Sequence, residues 1–282
     1  YFWPHTRIHG RVAYTNNGFS GAFRGFGTTQ SCTAGEQMFD MLAERLGMDP
    51  IDLRLKNALK TGDISAMNHQ IWTSVGISET LLVAKSSRLW RDRRRRQGEF
   101  KPPLFYGVGV ASEFQATGLG KGIPDFAGAH CDLQPDGTVL VRVGGIEMGT
   151  GVMTAYCQMA AETLGVGMEQ VRIVAGDTDE SPDSGTTTAS RSIYMIGNAV
   201  TRAAKALKNV LEAFVAEHWE PGFEYADGLF RRNGKTLDLR TVAQRAASLG
   251  RRLRGEGWCC RCPTRAARSI RRASRARATV AW

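Results

Sequence analysis

No stretch of this sequence approaches the ~20 consecutive apolar residues that a helix needs to cross a bilayer, and the amino end, Tyr1-Phe-Trp-Pro-His5, carries no cleavable secretory pattern. A membrane protein is therefore excluded. Cysteine is scarce: there are six in 282 residues, with Cys32, Cys131 and Cys157 scattered and Cys259, Cys260 and Cys262 close together near the end. That usage is not a disulfide scaffold, and it predicts a reducing, cytoplasmic location. The five histidines, His5, His9, His69, His130 and His218, show no close pairing for a metal. The glycine-rich loops have neither the Gly-Lys-Ser/Thr of a phosphate-binding loop nor Gly-x-Gly-x-x-Gly spacing, and no serine or cysteine nucleophile motif appears. What remains is an ordinary globular composition, 42% apolar and 23% charged. Its length suits one large or two ordinary domains.

The net charge of +10 invites a nucleic-acid reading, but its distribution argues against one for most of the chain. Ten arginines and a single acid, Glu256, fall between Arg251 and Trp282, while the first 250 residues carry 27 basic and 26 acidic side chains. The segment 251–282 shows no sustained apolar period of 3.6 or 2, so nothing marks a face for burial. Three readings apply. Out-of-frame translation of a GC-rich gene gives this Arg/Ala/Cys/Trp-rich composition and leads. A solvated nucleic-acid arm comes second. A zinc site at Cys259, Cys260 and Cys262 comes last, because no second ligand pair follows. The tail is thus expected to be out of frame or disordered. A second basic run, Arg91 and Arg93 to Arg96, reads as a solvated helix end.

Along the rest of the chain, Thr33 and Glu36 read as a capping box, with Phe39, Leu42 and Leu46 on one helical face. Asp49-Pro50 starts a second helix, with a stripe of Ile51, Leu55, Ala58 and Leu59 that Gly62 ends. A third helical stretch covers roughly 78–96, and Pro102-Pro103 breaks the chain. Residues 105–113 and 127–134 read as strands, and Pro135-Asp-Gly137 as a hairpin turn into the alternating Val139, Val141 and Val143. A helix over 152–164, a strand over 171–174 and a long amphipathic helix through Ile196, Val200, Ala203, Leu207, Val210 and Phe214 follow. A hairpin over 224–239 turns at Asp227-Gly228 and Asn233-Gly234. The fold class is α+β, with a boundary near residue 100.

Three loops present chemistry. Gly144-Gly-Ile-Glu-Met-Gly-Thr-Gly151 lets backbone N–H groups approach a ligand and opens a helix whose positive end points at it. Ser184-Gly-Thr-Thr-Thr-Ala-Ser-Arg-Ser192 offers six hydroxyls and one guanidinium before the long helix. Both suit an oxyanion-rich ligand, and both suit a tight structural turn equally well. In Gly21-Ala-Phe-Arg-Gly-Phe-Gly27, Arg24 can face an anion and Phe26 a flat substrate, or the aromatics can pack a core. Residues alone reach an anion-binding α+β protein.

Taken together, the three loops resemble the molybdenum hydroxylase family of xanthine dehydrogenases and aldehyde oxidases, specifically its large molybdopterin-binding subunit. The matching stretches are GAFRGFGTTQ (21–30) with ERLGMDPIDLRLKNALKTGD (44–63), GGIEMGTGVMTAYCQMAAETLGV (144–166) and DSGTTTASRSIYMIGNAV (183–200), in the family's order. The resemblance implies that 1–100 and 101–250 are parts of a first and a second molybdopterin-binding subdomain. It also implies a molybdenum centre on a pterin dithiolene, in the cytosine dinucleotide form, that hydroxylates an aldehyde or N-heterocycle carbon with water-derived oxygen. Electrons then pass to [2Fe–2S] and FAD partner subunits in a dimer of the complete heteromer; export with a partner subunit would make the location periplasmic.

By the same resemblance, Arg24 lies beside the molybdenum centre and Phe26 lines the substrate pocket. Gly149, Thr150 and Gly151 approach the pterin, and Thr187, Thr188, Ala189, Ser190 and Ser192 contact the cofactor. Thr150 stands where many xanthine-oxidising members have glutamine. The family's catalytic glutamate sits in a Gly-Glu-Pro-Pro-like motif that is absent from this sequence, so no catalytic base and no direct metal ligand is assigned. The expectation is an internal segment that is inactive alone. The alternatives are a non-catalytic anion-binding module and a basic nucleic-acid-binding protein.

Overall fold

The computed structural model describes residues 1–19, 21, 23–115, 117–120 and 123–260, and the chain divides after Gln115 into two compact units. No helix among the described residues is long and apolar enough to cross a membrane.

The first unit is built on α1 (Thr28–Arg45), α2 (Pro50–Lys56), α3 (Ile77–Ser86), α4 (Arg88–Arg91) and α5 (Arg93–Gly98). The capping box at Thr33 is not formed. Helix α1 starts at Thr28, behind a left-handed Gly27 (φ 91°), so Thr33 and Glu36 lie inside the helix. Glu36 is buried instead, taking Arg54 Nε at 2.8 Å, the Tyr1 hydroxyl at 2.5 Å and the Ser112 N–H at 2.9 Å. This pairing sets the rotation of α1: Glu36, Phe39 and Ala43 face inward, while Leu42 and Leu46 are exposed. Asp49 does cap α2, accepting the Ile51 N–H at 2.8 Å with Pro50 in the first turn. The predicted helix over 78–96 is interrupted at Ser87, whose extended backbone and hydroxyl restart the chain by accepting the Trp90 N–H. Residues 105–113 form no strand, since no described strand lies beside them. Val108 and Val110 pack on the cluster of Ile51, Leu81 and Trp90.

In the second unit, β1 (Phe126–Leu133), β2 (Val139–Val143), α6 (Val152–Leu164), β3 (Val171–Ala175) and α7 (Asn198–His218) come first. Then follow β4 (Glu224–Ala226), β5 (Leu229–Arg232), β6 (Lys235–Asp238), α8 (Leu239–Ser248) and β7 (Arg254–Cys260). Among the described residues a four-stranded sheet runs in the order β3-β2-β1-β7, with β2 and β3 parallel and the other pairs antiparallel. Helices α6 and α7 pack on each other and cover it, α6 over β3 and α7 over β1 and β7. Alternation predicted this face well: Val139, Val141 and Val143 are fully buried. The expected 224–239 hairpin is a three-stranded meander, with Asp227-Gly228 and Asn233-Gly234 in left-handed turns.

The Arg-rich tail requires correction. Its start is not disordered: Arg254–Cys260 is β7, paired with β1 from Phe126↔Cys260 to Asp132↔Arg254. Burial there is carried by Gly255 and Gly257, which lie flat against α7, so no apolar period announces the strand. Among the described residues Arg251, Arg252 and Arg254 all pair within the fold. Buried Asp132 accepts hydrogen bonds from Arg142, Arg252 and Arg254. Burial pushes the Asp132 carboxyl up, but these bonds prevail and hold it below the ordinary carboxylate range. Residues 261–282, with the rest of the tail, lie outside the described residues.

Candidate functional site

Because β2 and β3 run parallel, the loops that leave their carboxyl ends, 144–151 and 176–191, emerge at the same end of the sheet. Such ends are where open parallel sheets bind ligands. Side chains tie the two loops together. The Gly144 N–H donates to Ser184 Oγ at 2.8 Å, the Ser184 hydroxyl donates to the Gly128 carbonyl at 2.7 Å, and the Ile146 N–H donates to Thr187 Oγ1 at 3.1 Å.

The glycines of the first loop divide into two kinds. A Cβ on Gly144 would meet the Pro182 carbonyl at 2.8 Å and one on Gly145 the Ile196 side chain at 2.4 Å, so these two are needed for packing. At Gly149 (φ 84°) and Gly151 (φ 72°) a Cβ would meet open space, and the left-handed backbone is what demands glycine. A ligand can therefore lie directly on the main chain at 149–151.

The positive end of α6 is not left for a ligand anion, as the sequence suggested. The Glu147 carboxylate folds back over it, its Oε1 accepting the N–H groups of Met148 (3.0 Å), Thr150 (2.6 Å) and Gly151 (3.1 Å) and its Oε2 that of Met153 (3.3 Å). Desolvation pushes this carboxyl up, but the four donors outweigh it and bring the pKa from the ordinary 4.5 to about 2. The folded loop thus favours the charged form. Its contribution is complete above pH 4.5 and fades as pH falls through about 2. A carbon-detected NMR titration of Glu147 should show its midpoint near 2; a midpoint at 4.5 would mean that the carboxylate does not hold these donors.

In the second loop the guanidinium is likewise committed. Arg191 is 1% exposed. It donates from Nε to Asp125 (2.7 Å), from Nη1 to the Ser184 and Thr186 carbonyls (2.8 and 2.7 Å), and from Nη2 to the Phe126 carbonyl. It shapes the loop and offers nothing outward. Ala189 and Ser190 are held at φ 50° and 53°, a conformation costly for residues with a Cβ. The Gly118 N–H, donating to the Ala189 carbonyl at 2.9 Å, helps to pin it. Ser192 then opens a π-helical turn, Ser192–Gly197, that leads into α7. Strained backbone next to a π turn is a recurrent mark of functional sites.

The third loop belongs to the first unit and is described by itself. Phe23 and Phe26 are 79% and 77% exposed, and Phe26 is left-handed (φ 52°). Neither ring packs into a core among the described residues, and Arg24, between them in sequence, is exposed. Three arginines of the basic run have local partners. Arg93 lies 3.8 Å over the Trp90 ring and donates to Asp49, Arg95 pairs with Glu99, and Arg96 stacks on Tyr106.

Sequence reasoning named the loops but missed Glu147, Tyr156 and the inward role of Arg191. The signal for Glu147 was an acid within reach of an unoccupied helix start. Tyr156, from α6, is fully buried beneath the crossing of the two loops, yet its hydroxyl has no hydrogen-bond partner among the described residues. Open glycine backbone, partly exposed threonine and serine hydroxyls and the buried Tyr156 phenol form a hydrogen-bonding cradle. That chemistry fits a flat, heteroatom-rich cofactor better than a bare metal ion or an isolated phosphate.

A profile of the molybdopterin cofactor-binding domain matches residues 83–275, and a second of the same description matches residues 1–58. A probable xanthine dehydrogenase component of Bacillus subtilis is 36% identical over 242 residues, covering 83% of this chain and 31% of that protein. An aldehyde oxidoreductase of Megalodesulfovibrio gigas is 32% identical over 214 residues, covering 74% and 23%. Among solved structures, the aldehyde oxidoreductase of Desulfovibrio desulfuricans superposes with a TM-score of 0.64 at 28% identity, over 85% of this chain and 24% of that one. The chain spans about a third or less of the length of these relatives.

Proposed function

The chain belongs to the molybdopterin cofactor-binding family of the molybdenum hydroxylases, and we propose that its two joined loops cradle the pterin of a molybdenum cofactor in an oxidoreductase acting on an aldehyde or an N-heterocycle. The observation that carries this reading is the pairing of open glycine backbone at 149–151 with the hydroxyl loop 187–192, locked by Ser184 and Thr187.

In this reading Gly149 and Gly151, with no Cβ, let the ligand lie close against the main chain, and the Thr150 hydroxyl replaces a longer amide side chain. Thr187, Thr188, Ser190 and Ser192 supply neutral donors and acceptors, while the strained Ala189 keeps the backbone close to the reacting centre. Arg24 brings positive charge beside that centre, and Phe26 gives an electron-poor planar substrate an apolar wall. The two units supply parts of the first and second molybdopterin-binding subdomains. When bound, the cofactor supplies two-electron oxidation of a carbon centre, with the oxygen drawn from water. The base that takes the proton is not assigned among these residues. The cofactor is taken in its cytosine dinucleotide form, and the electrons go to iron–sulfur and flavin subunits.

The test is elemental and pterin analysis of the enzyme purified with its partner chains from its own host. Molybdenum and pterin in about equal amounts, and incorporation of oxygen-18 from labelled water into an aldehyde or heterocycle, are expected. A protein free of pterin would sink the proposal.

A further inference from the structure

The two joined loops spend opposite halves of their backbone within the fold. In the first it is N–H groups that are taken. Those of Gly144 and Ile146 donate to Ser184 Oγ and Thr187 Oγ1, and those of Met148, Thr150, Gly151 and Met153 donate to the Glu147 carboxylate. The carbonyls from Gly144 to Thr150 receive no donor among the described residues, so the exposed stretch 148–150 is left with its acceptors and with one N–H, that of Gly149. In the second loop it is carbonyls that are taken. Those of Ser184 and Thr186 accept from Arg191 Nη1, that of Thr188 accepts the Arg191 N–H at 3.0 Å, and that of Ala189 accepts the Gly118 N–H at 2.9 Å. The N–H groups from Thr186 to Ser190 find no acceptor among the described residues, and left-handed Ala189 and Ser190 lie in that run. Successive free N–H groups hold anions, whereas a row of carbonyls turns an anion away and takes N–H donors.

We propose that the two loops bind opposite ends of one ligand, a phosphorylated nitrogen heterocycle. The carbonyls of Met148, Gly149 and Thr150 take the N–H and amino groups of the ring, and the amides from Thr186 to Ser190, with the Thr188 and Ser190 hydroxyls, take the phosphate. Glu147 sets this polarity, because its carboxylate occupies the start of α6, where an oxyanion would otherwise be drawn. The inference rests on the pterin reading and adds the direction in which the ligand lies.

The experiment uses the complete enzyme with its partner chains, freed of cofactor, and two probes. Pterin itself, which carries no phosphate, is followed by its fluorescence, and inorganic phosphate by calorimetry. Wild type should bind both at once, with saturating phosphate changing the pterin affinity by less than about twofold. Thr188→Val combined with Ser190→Ala should weaken phosphate about 10-fold or more, the worth of hydrogen bonds to a charged group, and leave pterin unchanged. Glu147→Ala frees the amides of the first loop, so phosphate should now displace pterin. Glu147→Gln keeps an accepting oxygen, and the two probes should stay independent. Phosphate that displaces pterin from wild type would overturn the proposal, and that result needs no variant to fold. So would a wild type that binds pterin but no phosphate, a double variant that loses pterin as strongly as phosphate, or a Glu147→Ala enzyme on which the probes still bind independently. A wild type that binds no pterin, and carries none when purified, would instead remove the reading on which the inference rests.

Discussion

Alanine at Gly255 or Gly257 is expected to destabilise the second unit strongly. A Cβ at Gly255 would lie 2.2 Å from the Ala203 carbonyl oxygen and 2.2 Å from the Leu207 nitrogen. At Gly257 it would lie 2.1 Å from the Ala199 carbonyl oxygen and 2.3 Å from the Ala203 nitrogen. These are main-chain atoms of α7, so no side chain can swing aside and the whole helix has to lift. Overpacking in a core costs about 1–3 kcal/mol and sometimes more; here about 3 kcal/mol or more is expected from either substitution. That is a large part of the roughly 5–15 kcal/mol that holds a domain. Glu256→Ala, on the exposed side of the same strand, should stay within about 0.5 kcal/mol. Urea unfolding followed by circular dichroism separates the cases. Equal stability of all three variants would show that β7 does not lie against α7.

A second large effect is expected at Arg191, whose guanidinium joins Asp125 to the carbonyls of Phe126, Ser184 and Thr186. Arg191→Met withdraws a buried charge from a buried carboxylate, a loss of about 3–5 kcal/mol in comparable pairs. Arg191→Lys keeps the charge but cannot reproduce the planar fork that reaches three carbonyls at once. The lysine variant should therefore fold, but with a loosened 184–192 loop. Hydrogen exchange at those amides should accelerate while exchange in β1 and β2 stays slow. Unaltered protection in the loop would mean that Arg191 does not shape it.

Where apolar side chains carry the pattern, the sequence was readable. The 152–164 helix appears with the bounds its spacing implied, and β2 alternates as Val139, Val141 and Val143 require. Where something else does the work, it was not. In β7 the inward residues are glycines, and their contribution is closeness, which hydrophobic periodicity does not register. Helix α8 buries Leu239, Val242, Ala243 and Ala246 behind an Asp238 cap, a regular pattern hidden by the expectation of a hairpin end. The rotation of α1 was set by the buried Glu36–Arg54 pair, in which a charged residue occupies the inner face. The three loops were recognisable as loops. That Arg191 spends its charge inward depended on Asp125, 66 positions away, which no local motif encodes, whereas the donors of Glu147 all lie within six positions of it and were open to local reading.

The pairing of β1 with β7 also orders events during synthesis. Phe126 meets Cys260, and everything from β2 to α8 is made between them. A nascent chain therefore emerges from the ribosome with one edge of β1 bare and the Ala199–Ala203–Leu207 face of α7 uncovered, until β7 arrives to cover both. Bare edges and apolar helix faces are what chaperones hold and what drives aggregation. The sheet that carries both cofactor loops closes late, so the cradle takes its final shape only after the Arg254–Cys260 segment has been translated.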